Sequence, residues 1–278
     1  MVGLVAVMVV GVFAIVGCGS EEEIDNNGDV AEGVHPALAD VVKGDGRTIT
    51  VATEPTYPPF ESMVGGEVVG FDIDLTRAIA HYLGAEIEFT FLGWDALLTA
   101  LGSDSRDFDF AASAMTITPE RAEVILFSDP YFVSYQALAV PADSDITSVD
   151  DLGPDTSVAV QSGTTGHIFA TANLEEKGVN IRPYPGGQDC FLAMASGEVD
   201  GVIIDIPVAS NQAQDGDFDI RIIPIESADQ ERFGFAFGKS RTELAEAVNQ
   251  ALAALIEDGT YAEIYAKWIN PDSDPVLP

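Results

Sequence analysis

Residues 112–121 read ASAMTITPER: an apolar run closes in small residues, then offers the hydroxyls of Thr116 and Thr118, a proline and Arg121. A guanidinium beside hydroxyls and free backbone N–H groups suits a carboxylate, because its planar fork meets both oxygens in parallel and keeps its charge. Basic residues are scarce here, with 12 Lys+Arg against 46 Asp+Glu. Taken alone, Arg121 reads as a surface charge paired with one of those acids, so its weight depends on what accompanies it. Asp205 directly follows the apolar run 199–204, a poor place for a mere solubiliser, with helix capping as the competing reading. The turn Ser162-Gly163-Thr164-Thr165-Gly166 opens a helical stretch, where free N–H groups and the positive dipole end suit an anion. An ordinary N-cap by Thr164 or Thr165 fits the same turn. The loop 53–60, TEPTYPPF, follows a strand-like run and brings forward Glu54, Tyr57 and Phe60; a rigid surface loop is its plain alternative.

At 278 residues, 47% hydrophobic and 21% charged, the chain is globular and long enough for one large or two modest domains. A net charge of −34 excludes nucleic acid as a partner, since phosphate binding needs a basic surface. The acids run through the whole chain, which favours adaptation to a salty medium over steering of a cation. Of the two cysteines, Cys18 lies in the leader region and Cys190 in a helix-like stretch, so no disulfide framework is expected and Cys190 reads as a buried packing residue. His35, His81 and His167 have no ligand spacing. Neither a metal nor a cofactor is expected.

Residues 1–17 carry no charge and are almost wholly apolar, and they end Ile15-Val16-Gly17-Cys18. That ending resembles a lipobox, in which the cysteine is lipidated, although the usual positive start is missing; an uncleaved membrane anchor is the alternative. Either places the remainder outside the cytoplasm. Residues 1–18 are thus expected as a leader and residues 19–46, polar and acidic, as a flexible tether.

The elements that must position the candidate side chains alternate. Strand-like runs at 47–52, 86–91, 108–112, 156–161, 199–204 and 218–223 are interleaved with helical runs, the clearest beginning at Phe71, Trp94, Gln188, Thr242 and Tyr261. This predicts an α/β fold with mainly parallel sheets. The run 135–140 should leave the first lobe, and the acidic stretch Asp229-Gln230-Glu231-Arg232 should return the chain to it. The expected division is 47–134 and 232–270 for the first lobe, 135–231 for the second, and 271–278 for a tail.

GFDIDLTRAIAHYL (70–83), with ATEPTYPPFE before it and SAMTITPER, FSDPYF and DGTYAEIYAKW after it, resembles the extracytoplasmic solute-binding proteins that feed polar amino acids to ABC transporters. The likeness covers roughly residues 47–270. It implies a two-lobed periplasmic-binding-protein-like fold of type II, with two hinge crossings and a ligand cleft between lobes. By this resemblance Arg121 clamps an α-carboxylate, helped by Thr116 and the Thr165 N–H. Asp205 takes the α-ammonium, with the Ala114 carbonyl and the Thr116 hydroxyl assisting. Glu54, Tyr57, Trp94, Gln161 and Ile204 fall where the family meets the ligand side chain. Ala114 and Thr165 stand where glycine is common.

Tyr57 and Trp94 could sandwich a flat or cationic group, and Glu54 supplies a negative charge. Together with a QSGTT turn resembling that of arginine binders, this favours a basic amino acid, arginine first, over glutamine or another neutral polar one. The implied partners are the free amino acid and ABC permease subunits, with membrane attachment through a lipid anchor or leader, and a monomer is expected. A dehydratase of the cyclohexadienyl type needs a free general acid, for which Glu54 is the candidate. A sensory binding protein is the remaining alternative.

Overall fold

The computed structural model describes residues 34–214 and 218–277. The leader, Cys18 and the tether as far as residue 33 lie outside the described residues. The strands are β1 (Thr48–Thr53), β2 (Thr56–Tyr57), β3 (Glu61–Val64), β4 (Glu67–Val69), β5 (Glu86–Phe91), β6 (Phe110–Ala111), β7 (Leu126–Phe127), β8 (Phe132–Ser134), β9 (Gln136–Pro141), β10 (Ser157–Gln161), β11 (Asn180–Tyr184), β12 (Gly201–Asp205), β13 (Ile220–Pro224), β14 (Glu231–Phe233) and β15 (Ala236–Phe237). The helices are α1 (Phe71–Tyr82), α2 (Trp94–Gly102), α3 (Pro119–Val124), α4 (Thr165–Leu174), α5 (Gly187–Ala195), α6 (Ile206–Gln214), α7 (Thr242–Glu257) and α8 (Thr260–Trp268).

Two five-stranded sheets form the centres of two lobes, in the orders β5-β1-β6-β15-β7 and β11-β10-β12-β9-β13. In the first, β1 runs parallel to β5 and β6, and in the second β10 runs parallel to β11 and β12. The sheets are mixed, however, and the exceptions have one cause. β15 and β9 are the strands that follow the two passages between lobes, and each enters its sheet antiparallel to its neighbours. The passages themselves, β8 and β14, pair with each other as a two-stranded antiparallel ribbon. That ribbon ties the sheets at one edge of the cleft.

Local sequence accounts for most of the elements. β1 is buried from Ile49 through Thr53, as expected of a strand covered on both faces. α1 turns Ile73, Leu75, Thr76 and Ile79 inward, and α7 does so with Leu244, Val248, Ala251, Leu252 and Leu255, the spacing of a one-sided apolar stripe. α1 begins after Gly70 at φ 143°, where an added Cβ would stand 2.0 Å from the Phe60 carbonyl oxygen. Glycine is required there by close backbone approach as much as by dihedral. Phe60, Phe71, Phe132 and Phe233 pack edge-to-face and stacked beneath the cleft, so hairpin, helix and both passages share one aromatic core.

One expectation needs correction, and several features were not anticipated. The flexible tether does not extend to residue 46: Pro36–Asp40 forms a 3-10 turn capped by His35, which packs on α7, with Leu38 and Val41 buried in the core. Two apolar residues spaced by three were enough to dock a stretch that its acidic surroundings made look solvated. Asp72, in the first turn of α1, is fully buried and accepts the Ala114 N–H of the cleft loop. The helices α3 and α6 and the hairpin β2–β3–β4 were not anticipated, because their prolines, short lengths and turn residues break any sustained period. Among the described residues no helix is long and apolar enough to cross a membrane.

Candidate functional site

Glu54, Tyr57, Trp94, Ala114, Thr116, Arg121, Gln161, Thr165 and Asp205 all line one pocket between the lobes. Chain topology explains the convergence. Glu54 follows β1, Ala114 and Thr116 lie in the loop after β6, Gln161 ends β10 and Asp205 ends β12. These are the carboxyl ends of the parallel strands, where an open α/β sheet leaves side chains free of the ladder.

Arg121 rises from α3, whose N-cap Thr118 accepts the Arg121 N–H at 3.2 Å. Its Nη1 donates to the Thr116 carbonyl at 2.8 Å, and its Nη2 reaches across to the Gly163 carbonyl at 3.2 Å. The guanidinium also lies over the Trp94 ring, 5.3 Å from its centroid. One cation thus touches both lobes. Burial lowers its pKa, opposed by the negative charges of Glu231 and then Asp205, and the guanidinium stays ionised. Trp94 therefore gives a ring face to Arg121 in addition to lining the cavity.

Asp205 is buried, and side chains from other elements hold its carboxylate. Tyr57 Oη donates to Oδ2 at 2.6 Å and Ser134 Oγ to Oδ1 at 2.5 Å. Burial, reinforced by the charge of Glu231, pushes its pKa up to about 7. An acid so placed gains from a cation brought beside it, since an ammonium restores the charged form that burial penalises. Tyr57 thus meets the site through its hydroxyl as well as its ring.

At Glu54, Thr56 Oγ1 donates to Oε1 at 2.7 Å and Gln161 Nε2 to Oε2 at 2.8 Å, the latter across the cleft. Burial raises its pKa, and the charges of Asp189 and Asp95 add to the shift. A Cβ built at Gly186 would lie 3.3 Å from Asp189 Oδ2 and 3.4 Å from Glu54 Oε1, so these two carboxylates flank the same glycine. This end of the cavity is distinctly negative.

Thr164 proves to be the N-cap of α4, accepting the His167 N–H at 3.2 Å. Thr165 is the first helical residue, so its N–H has no intrahelical acceptor. The loop opposite is fixed from below. Ala114 N–H donates to Asp72 Oδ2 at 2.8 Å, and Tyr131 Oη donates to the same oxygen at 2.6 Å. Ser113 Oγ donates to Glu61 Oε1 at 3.0 Å and accepts the Glu54 N–H at 3.2 Å. Asp72 and Glu61 are both fully buried. Burial raises both pKa values, that of Asp72 to about 7.

Sequence reasoning missed Ser113, Ser134, Gln136 and Glu231. Glu231 Oε2 accepts from Thr116 Oγ1 at 2.5 Å and from Thr165 Oγ1 at 3.0 Å, while Oε1 accepts from Gln136 Nε2 at 2.9 Å. Its signal was faint: one of two acids in DQER, told apart only by the apolar run FGFAF that follows. Cys190 is buried as expected, its thiol pushed up to about 12 mainly by burial.

The chain is similar to known proteins over most of its length. The chain is 35% identical over 228 residues to the putative ABC transporter arginine-binding protein 2 of Escherichia coli (strain K12), covering 80% of this chain and 91% of that protein. The structure of an ancestral arginine-binding protein bound to arginine superposes with a TM-score of 0.74 at 38% identity, covering 80% of this chain and 97% of that one. AncCDT-1, an ancestral amino acid-binding protein and precursor of cyclohexadienyl dehydratase, superposes with a TM-score of 0.76 at 36% identity, covering 84% and 99%. A family model matches residues 49–271 as well, and the chain belongs to the bacterial extracellular solute-binding proteins, family 3.

Proposed function

We propose that this protein captures a basic amino acid, arginine first, outside the cytoplasm and delivers it to the permease of an ABC importer. Arg121 and the Thr165 N–H receive the α-carboxylate, and Asp205 with the Ala114 carbonyl receives the α-ammonium. Glu54, under the added field of Asp95 and Asp189, receives the distal cation. The observation that carries the basic reading is this buried, doubly hydrogen-bonded Glu54 carboxylate in a negative end of the cavity. A neutral amide would leave that charge uncompensated, and a ligand carboxylate would be repelled. Relatives described as arginine-binding support the same choice.

The two lobes, 47–134 with 232–270 and 135–231, close on the ligand as a monomer. Lipidation at Cys18 holds the protein at the membrane, and the acidic surface keeps it soluble in a salty medium. The titration that tests the ligand class compares L-arginine, L-lysine and L-glutamine on wild type and Glu54→Gln by calorimetry. Arginine and lysine should lose at least about tenfold and glutamine less than about threefold; equal losses for all three would refute a charge-reading Glu54.

A second reading has one observation behind it. Burial raises the pKa of Glu54, the property a general acid requires, and AncCDT-1 is described as the precursor of a dehydratase. Turnover of prephenate or arogenate by the purified protein would favour it over simple capture. We propose capture without turnover, because Glu54 already accepts from Thr56 and Gln161 and needs no leaving group to act on.

A further inference from the structure

Glu231 begins β14, one of the two passages between lobes, and stands opposite Ser134 of β8 in the ribbon. It is 7% exposed. Its Oε2 takes the hydroxyl protons of Thr116 from the first lobe and Thr165 from the second, and its Oε1 takes an amide N–H of Gln136. Its ribbon partner Ser134 donates to Asp205. A single hinge carboxylate is therefore bonded to both sides of the cleft, and both threonines belong to the group that receives the ligand's α-substituents.

The chemistry of a hydroxyl makes this arrangement directional. Threonine has one O–H proton and two lone pairs. With that proton committed to Glu231, Thr116 Oγ1 meets any further partner as an acceptor. It can take an N–H from an ammonium, and it cannot donate to a carboxylate. The Thr165 hydroxyl is committed in the same way, which leaves that residue's backbone N–H as its donor toward the cavity. A hydroxyl donating to a carboxylate makes a charge-assisted bond, which holds that polarity.

We propose that Glu231 is a positioning residue: from the hinge it fixes the Thr116 hydroxyl as an acceptor for the α-ammonium. This rests on the amino-acid reading above. It adds selectivity for ligands with an α-ammonium over the corresponding hydroxy or deamino acids.

A double-mutant cycle tests it, with L-arginine as the probe in calorimetric titrations of wild type, Thr116→Val, Glu231→Gln and the double variant, and melting curves to report the fold. Glu231→Gln should weaken arginine binding about tenfold or more in the wild-type background, and less than about threefold once Thr116 lacks its hydroxyl. In Glu231→Gln, 5-guanidinopentanoate, which lacks the α-ammonium, should bind within about twofold of its wild-type affinity. Should Glu231→Gln fail to fold, Glu231→Asp gives the same comparison, because it keeps the charge and withdraws it from Thr116. Equal losses in both Thr116 backgrounds, or equal losses for arginine and its deamino analogue, would reduce Glu231 to a scaffold and overturn the assignment alone. A wild-type protein that binds neither L-arginine nor L-glutamine overturns both this assignment and the reading beneath it.

Discussion

Tyr57 and Asp205 meet across the cleft: the phenol of a first-lobe hairpin donates to the carboxylate that ends a second-lobe strand, at 2.6 Å. Asp205 is thus held by a neutral donor, while burial and the neighbouring charge of Glu231 carry its pKa from 3.8 up to about 7. The direction of the linkage follows. A carboxyl whose pKa is raised on burial binds protons more tightly in the closed form, so the closed cleft loses stability as pH climbs through that window. An α-ammonium reverses the preference, because it pairs with the ionised form.

Amino-acid binding should therefore release a proton at about pH 6, and affinity should weaken on acidification by up to about tenfold per unit below pH 7. Titration calorimetry in buffers of differing ionisation enthalpy reads the proton directly. A flat affinity between about pH 5 and 8 with no proton released would show that Asp205 does not face the ammonium.

Arg121 is the group whose removal should cost most. Its own partners are two backbone carbonyls and the Trp94 face, none of them a carboxylate that would be left unpaired. Arg121→Ala should accordingly fold, with a melting temperature close to wild type. Its arginine affinity should fall by about 2–5 kcal/mol, roughly 30-fold to several thousandfold. Arg121→Lys keeps the charge and loses the fork, and should lie between the two. A loss below about fivefold for Arg121→Ala would remove the carboxylate clamp.

The site was more legible in the sequence than its supports were. Arg121, Asp205, Gln161 and Glu54 each follow an apolar run closely, and the carboxyl ends of strands are where such residues converge. Asp72, Glu61 and Glu231 carry no such mark. Each is one acid among many in an acidic chain, and only three-dimensional contact shows that Asp72 holds the Ala114 N–H and Glu231 the two threonines. The strand directions of β9 and β15 were hidden for a related reason: a short strand entering a sheet from the hinge has the composition of its parallel neighbours.

Leu38 shows the same limit at the edge of the fold. It is fully buried within a 3-10 turn against α7, in a stretch whose composition suggested a tether. Leu38→Ala should destabilise the protein by about 2–5 kcal/mol, the range for deleting a buried leucine side chain. Urea denaturation measures it, and the arginine affinity of the folded fraction should be unchanged because Leu38 lies outside the cavity. A change below about 0.5 kcal/mol would mean that this segment contributes nothing to the folded state.

Ala114 sits at φ 43°, in the left-handed region that disfavours a Cβ by about 1–2 kcal/mol. The strain persists because Asp72 accepts the Ala114 N–H from below while Thr116 is tied to Glu231, so the loop between them has no slack. Glycine would relieve the strain but enter folding with about 0.5–1 kcal/mol more backbone entropy to lose. The two effects oppose each other, and Ala114→Gly should change stability by about 0 to 1.5 kcal/mol in the favourable direction. That contrasts with the loss an alanine-to-glycine change causes inside a helix. Ala114→Val brings a β-branched side chain into the same backbone conformation and a cavity wall, and should cost more than about 1.5 kcal/mol. It should also weaken arginine binding, since the Ala114 carbonyl must shift to accommodate it. Thermal melts of the three proteins, with and without arginine, decide the matter. If glycine destabilises as much as valine, the left-handed residue is not under strain, and the loop is shaped by its own sequence instead of by Asp72 and Glu231.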